Sequence, residues 1–225
     1  MILYLFDIDG TLLHAHGSGR DAFTAVFAEA HGIADACAGV RFGGKTDPAI
    51  IDEIYLARLG RPASGDERAA FLSAYLPRLE AALASHGVEV LPGAHDALAY
   101  LASRGDVVLG VATGNVIEGA AAKLAHGGFA DRFVLGGYGS DSHLRPALVA
   151  AAIARARARS DIREVVVVGD TIHDISAARA CGAIACAVST GSDTADALAH
   201  ADTVLASLAD LPAWHASRYG DNVPA

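Results

Sequence analysis

The sequence predicts an α/β fold: a doubly wound parallel sheet with a small all-helical segment inserted after its first strand. Three observations predict it. Residues 2–6, ILYLF, form an unbroken apolar run with the length of a strand buried on both faces, as in a parallel sheet. From residue 92 onwards, strand-like apolar runs alternate with helical patterns, as they do where crossover helices join parallel strands. Between these regions the chain shows helical patterns and no strand, which reads as an inserted bundle. The expected division is a core of residues 1–15 and 90–225 and an insertion of residues 16–89.

In the insertion, Gly17-Ser18-Gly19 loosens the chain, and a helix starts near Arg20. Ala22, Phe23, Val26, Phe27 and Ala30 share one face of it, and Gly32 is its stop. A second helix is expected after Asp47-Pro48, with Asp47 as N-cap, Pro48 at the first helical position, and Ile50, Ile51, Ile54, Tyr55 and Leu59 apolar. A third covers residues 66–85, with Phe71, Leu72, Tyr75, Leu76, Leu79 and Leu83 inward and Pro77 as a candidate interruption. In the second half, strands are expected at 107–111, 133–135, 164–168, 183–188 and 203–205. Helices are expected at 94–104, 116–126, 145–159, 172–181 and 195–200. The tail from Tyr219 is expected to be loosely held.

Composition bounds the function. The chain has 225 residues, 52% of them hydrophobic, enough for a substantial core. A net charge of −9 and the lack of a basic cluster argue against nucleic acid or an anionic membrane as partner. Cys37, Cys181 and Cys186 are odd in number and lack zinc-ligand spacing, so free thiols in a reducing compartment are expected. The chain shows neither a signal-peptide pattern nor a membrane-length apolar run, so a cytoplasmic protein is expected, as monomer or homodimer. Ten histidines, among them His14, His16, His143 and His173, show no zinc-ligand arrangement.

The chemistry concentrates where strands end. Asp7 and Asp9 follow the first strand at alternate positions, so both would point to the same side. Two carboxylates about 5 Å apart at an effective dielectric near 20 repel by roughly 3 kcal/mol. The pair is either a solvated acidic turn or a divalent-cation site that leaves one carboxylate as nucleophile. Two more strands end in polar groups, at Thr113-Gly114-Asn115 and at Asp170 followed by Asp174. Parallel neighbours would bring all of these to one sheet edge, where open α/β sheets bind ligands. Oxygen-only donors favour Mg²⁺ over zinc or copper.

Asp7-Ile8-Asp9-Gly10-Thr11, then Thr113, then a basic residue opening a helix, then Gly169-Asp170-Thr171-Ile172-His173-Asp174, resembles the haloacid dehalogenase (HAD) superfamily. The likeness extends over nearly the whole chain. It implies a Rossmann-like core and phosphoryl transfer, with Asp7 as nucleophile and Asp9 as the acid and then base, its pKa raised towards neutrality. It also implies Mg²⁺ held by Asp7, the backbone carbonyl of Asp9 and Asp170, with Asp174 as ligand or neighbour. Thr113 and the amides of Gly114 and Asn115 would grip the phosphoryl oxygens. Dehalogenase members resemble this chain but lack the second Asp, so Asp9 points to phosphoryl chemistry. The superfamily's third motif usually carries Lys; here Arg145 takes that place, with Lys45 as competitor for the role.

The insertion sits where phosphoglycolate phosphatase-like members carry a helical cap. Phe42-Gly43-Gly44-Lys45-Thr46-Asp47 resembles the cap segment that reaches the substrate, so Gly44, Lys45 and Thr46 are expected there. The implied activity is hydrolysis of a small phosphorylated metabolite, with phosphoglycolate, a sugar phosphate or a nucleotide monophosphate as open choices. A phosphomutase of the β-phosphoglucomutase type and a non-catalytic aspartyl-phosphate switch are the competing readings.

Overall fold

The computed structural model of the protein describes residues 1–220. The first half runs β1 (Ile2–Phe6), β2 (Leu13–His14), α1 (Ser18–His31), α2 (Asp47–Leu59), α3 (Gly65–His86), β3 (Glu89–Val90), α4 (Ala94–Ala102) and β4 (Val107–Ala112). The second half runs α5 (Ile117–His126), β5 (Leu135–Gly137), α6 (Arg145–Arg157), β6 (Glu164–Gly169), α7 (Ile172–Ala180), β7 (Ile184–Val188), α8 (Ala195–Leu198), β8 (Thr203–Leu205) and, after a 3₁₀ turn, α9 (Leu211–Tyr219).

Six parallel strands form one sheet in the order β5-β4-β1-β6-β7-β8. β1 lies between β4 and β6, which explains its unbroken apolar run. Ile2, Tyr4 and Phe6 face one core with α4 and α9, and Leu3 and Leu5 face the other with α6 and α7. The chain leaves β1, builds β4 and β5 on one side, then returns to place β6 on the other. That reversal opens a crevice beyond the carboxyl ends of β4, β1 and β6. The fold class expected from the sequence is the one observed.

The inserted helices join through aromatic rings. Phe23 on α1 lies 4.7 Å from Tyr75 and 5.0 Å from Phe71 on α3, and Phe27 lies 5.1 Å from Tyr55 on α2. These rings and the Tyr4 face of the sheet belong to one continuous apolar cluster. Where the chain enters and leaves the insertion, β2 and β3 pair antiparallel.

Several local expectations are corrected. α3 runs unbroken through Pro77, because its buried stripe of Phe71, Tyr75, Leu79 and Leu83 straddles an exposed Pro77 and Ser73. β5 lies at Leu135–Gly137, not at 133–135. It packs so tightly on α6 that a Cβ at Gly137 would overlap the Leu148 carbonyl, a need that hydropathy does not register. α9 was unexpected, and it orders Tyr219; Tyr4 Oη and His215 Nδ1 share a 2.8 Å hydrogen bond that ties it to the sheet. Residues 221–225 of the tail lie outside the described residues.

The N-terminus of α2 docks on the loop after β4. Thr46, rather than Asp47, is the N-cap, accepting from Ala49 N, and its hydroxyl donates to His143 O at 3.1 Å. Asp47 instead faces the core. Its amide donates to Gly114 O and its carboxylate accepts from Val116 N, both at 2.8 Å. The two backbones approach so closely that a Cβ on Gly114 would overlap the Lys45 carbonyl.

Two predictions follow from this docking. Burial pushes the Asp47 carboxyl up to about 6, against the opposing pulls of Lys123 and Val116 N–H. A raised carboxyl stabilises the fold below its unfolded pKa and loses that contribution as pH climbs through the folded value. The stability of Asp47→Asn relative to the native chain is therefore expected to rise between pH 4 and 6, by up to ~3 kcal/mol; denaturant curves that stay parallel across that range contradict this. Gly114→Ala is expected to lift the Lys45–Asp47 backbone from the loop and lower kcat/KM by about 10²-fold, the cost of ångström-scale misplacement. Steady-state rates beside a melting curve check it.

Candidate active site

Register brings the acids together. Phe6 pairs with Val111 on one side and Val168 on the other, so Asp7, Thr113 and Asp170 emerge at nearly one level of the sheet edge. Asp7 N donates to Val168 O at 2.9 Å, which fixes the turn out of β1. Carboxylate oxygens of Asp7, Asp170 and Asp174 lie within 4.8 Å of one another, and all three residues are buried.

Arg145, at the first position of α6, is driven into this cluster. Its guanidinium lies 2.9 Å from Asp7 Oδ2 and 2.7 Å from Asp174 Oδ1, and Nη1 donates to Gly44 O at 3.2 Å. The other oxygen of Asp174 accepts from Thr171 N and Oγ1, a capping box that pins the start of α7. Asp170 is held more lightly, by Ser192 N at 3.2 Å and Thr11 Oγ1 at 3.4 Å. Burial raises the Asp170 carboxyl well above the usual range, and Asp7 and Asp174 add to the rise. Burial raises Asp7 too, with Arg145 opposing and Asp174 and Asp9 reinforcing. Three acids thus face one guanidinium, and the surplus negative charge adds to the rise at Asp7 and Asp170.

Asp9 goes elsewhere. The strand ends at Phe6, so the expected alternation does not carry on to Asp9, and its carboxylate lies outside the cluster of three. Lys123 Nζ donates to both its oxygens, at 2.8 and 2.7 Å, and to Asn115 Oδ1 at 2.7 Å. Asn115 Nδ2 donates to Asp9 and to Thr113 Oγ1, both at 2.8 Å. Burial alone would raise Asp9, but Lys123 and Asn115 outweigh it and hold its carboxyl below the usual range. The raised pKa expected from the resemblance is therefore corrected: the free site stabilises the anion.

Sequence reasoning passed over Lys123. It lies on α5, eight residues beyond Asn115, and is one of only two lysines in the chain. Helical spacing from the Thr113 loop was the signal that could have found it. The other lysine, Lys45, forms an ion pair with Glu53, so Arg145 and not Lys45 is the cation on Asp7. Gly44, Lys45, Asp9, Thr113, Gly114 and Asn115 all border one cavity of about 520 Å³ between the insertion and the sheet edge. Thr46 caps α2 beside it; Asp170 and Asp174 are not among its lining residues, and Asp174 pairs with Arg145, which is.

The comparisons with known proteins agree with this geometry. The profile of the haloacid dehalogenase-like hydrolases matches residues 3–182. Phosphoglycolate phosphatase of Rhodospirillum rubrum is 32% identical over 191 residues, spanning 79% of this chain and 75% of the relative. Among solved structures, CbbY from Rhodobacter sphaeroides in complex with phosphate superposes with a TM-score of 0.72 at 21% identity, covering 93% of this chain and 95% of that one. A hydrolase from Pseudomonas syringae gives 0.68 at 21% identity, covering 97% and 99%. With its acids gathered at the edge of a doubly wound sheet and the family profile matched across most of its length, the chain belongs to the haloacid dehalogenase-like hydrolases.

Proposed function

We propose that the protein is a magnesium-dependent phosphatase that hydrolyses a small phosphomonoester through a phosphoryl group carried on Asp7. The observation that carries this reading is the Asp7 carboxylate. It is buried at the sheet edge, oriented by Arg145, and opens onto the same cavity as Thr113 and the separately held Asp9. Residues 16–89 act as a cap over a core formed by 1–15 and 90–225.

The donor set fits a hard divalent cation. It is all oxygen and buried, and a Cβ on Gly10 would come within 2.5 Å of Asp170 Oδ2, so only glycine leaves that carboxylate its space. Asp7 and Asp170 would hold the ion with the Asp9 carbonyl, while Asp174 stays engaged with Arg145 and the start of α7. When bound, Mg²⁺ would neutralise charge on the transferring phosphoryl oxygens.

The chain's own groups divide the remaining work. The Asp7 carboxylate attacks phosphorus and the bond to the leaving oxygen breaks. The Thr113 hydroxyl and the Gly114 amide receive the phosphoryl oxygens, and Arg145 offsets their charge. Asp9, whose carboxyl the free site holds below the usual range, gains proton affinity as the phosphate's negative charge arrives, takes up a proton from solvent, gives it to the departing alkoxide, and recovers one from the water that cleaves the acyl phosphate. Lys123 and Asn115 keep it aimed throughout. The Rhodospirillum rubrum relative favours hydrolysis over mutase chemistry. The free, buried thiols of Cys37 and Cys186 suit a reducing cytoplasm.

Asp7→Asn is expected to abolish phosphate release, and Asp9→Asn to lower kcat by about 10²–10⁴-fold, with far-ultraviolet circular dichroism unchanged in both. Release of phosphate by Asp7→Asn at the native rate removes Asp7 as nucleophile; rearranged ester without free phosphate identifies a mutase instead.

A further inference from the structure

The end of the cavity at the start of α1 carries features that phosphoryl transfer does not use. Tyr75 is 1% exposed, borders the cavity, and its hydroxyl makes no hydrogen bond among the described residues. It is aimed at the start of α1. A Cβ on Gly19 would sit 3.7 Å from Tyr75 Oη and 4.0 Å from Lys123 Nζ, so the missing side chain leaves room for a methyl-sized group in contact with both. α1 is preceded by Gly17, which offers no side-chain cap, and Gly19 and Arg20 border the cavity in its first turn, where their amides have no helical acceptor. Asp47 borders the same end and offers a carboxylate as acceptor.

The lysines here and Arg20 are engaged. Lys123 is taken by Asp9 and Asn115, and Lys45 by Glu53. The Arg20 guanidinium donates to the carbonyls of Cys37 at 2.8 Å and Val40 at 2.7 Å, and stacks on Phe42. A carboxylate or a second phosphate placed at this end would face Asp47 and Asp9, and the nearest donors, on Lys123 and Arg20, are already taken by other groups. An alcohol hydroxyl, which both donates and accepts, can pair with the tyrosine hydroxyl, the helix amides and Asp47 together. We infer that Tyr75, Asp47 and the first turn of α1 form a subsite for hydroxyl groups on an uncharged leaving group, so that the substrate is the monophosphate of a polyol or sugar. The inference rests on the phosphatase reading above and names the substrate class for that site.

The test uses esters matched except for charge at the far end. 2-Hydroxyethyl phosphate is compared with phosphoglycolate, and sorbitol 6-phosphate with 6-phosphogluconate; ethyl phosphate is the reference with neither group. The native protein is expected to favour the hydroxyl member of each pair at least tenfold in kcat/KM. Tyr75→Phe and Gly19→Ala are each expected to lower the ratio of sorbitol 6-phosphate to ethyl phosphate at least fivefold, mainly through KM. Gly19 lies inside a helix, and the added methyl meets only ordinary contacts, so Gly19→Ala is expected to keep or raise the melting temperature while filling the subsite. Equal or better turnover of the carboxylate members overturns the inference, as do unchanged ratios in both variants. If no ester releases phosphate, the phosphatase reading fails instead. Calorimetric binding of the same pairs then decides the subsite, with tighter binding of the hydroxyl members supporting it and equal binding overturning it.

Discussion

Negative charge that the fold cannot neutralise by itself is the constraint around which this molecule is arranged. The register of three adjacent parallel strands forces Asp7 and Asp170 to emerge side by side, and the first turn of α7 adds Asp174. Buried like charges repel strongly, and one guanidinium answers only part of that repulsion. The rest of the site reads as a response to this imbalance. Arg145 is pulled inward at the start of α6, Asp174 is engaged at both oxygens, and a second cation, Lys123, separates Asp9 from the cluster. Two neighbouring carboxylates thereby acquire opposite proton affinities in the substrate-free site, Asp7 raised and Asp9 lowered.

Much of this was legible in the chain because it is encoded locally. The apolar run of residues 2–6, the alternation after residue 92 and the acids at strand ends are period-2 and period-3.6 patterns, and they gave the sheet and its functional edge. What was not legible depends on tertiary closeness. Gly136 and Gly137 weaken a strand by propensity, yet β5 needs Gly137 to pass under α6, and Gly136 leaves room for the Tyr138 ring. The strands at Leu13 and Glu89 are too short to show a period. Lys123 reads as one more helix-surface lysine until the fold brings it to Asp9, and Asp47 reads as an N-cap until Thr46 is seen to take that place. The raised pKa expected for Asp9 failed for the same reason, since its neutralising partner lies more than a hundred residues away.

The docking of the insertion on the core is polar and backbone-based, through Thr46, Asp47, Gly114 and the carbonyl of Gly44, while the insertion's aromatic rings continue the core of the sheet. The first contacts are specific in geometry, and the second hold the insertion to the core by apolar packing. Burying Asp47 costs stability at neutral pH, and a site that accepts such a cost commonly gains function from it.

The most direct measurement is a Mg²⁺ titration of the substrate-free protein, followed by thermal unfolding, in the native chain and in Asp170→Asn. If the acids at the sheet edge form a cation site, the melting temperature of the native protein rises with Mg²⁺ and saturates, while Asp170→Asn shows little or no rise. A native melting temperature indifferent to Mg²⁺, or an equal rise in the variant, contradicts the account.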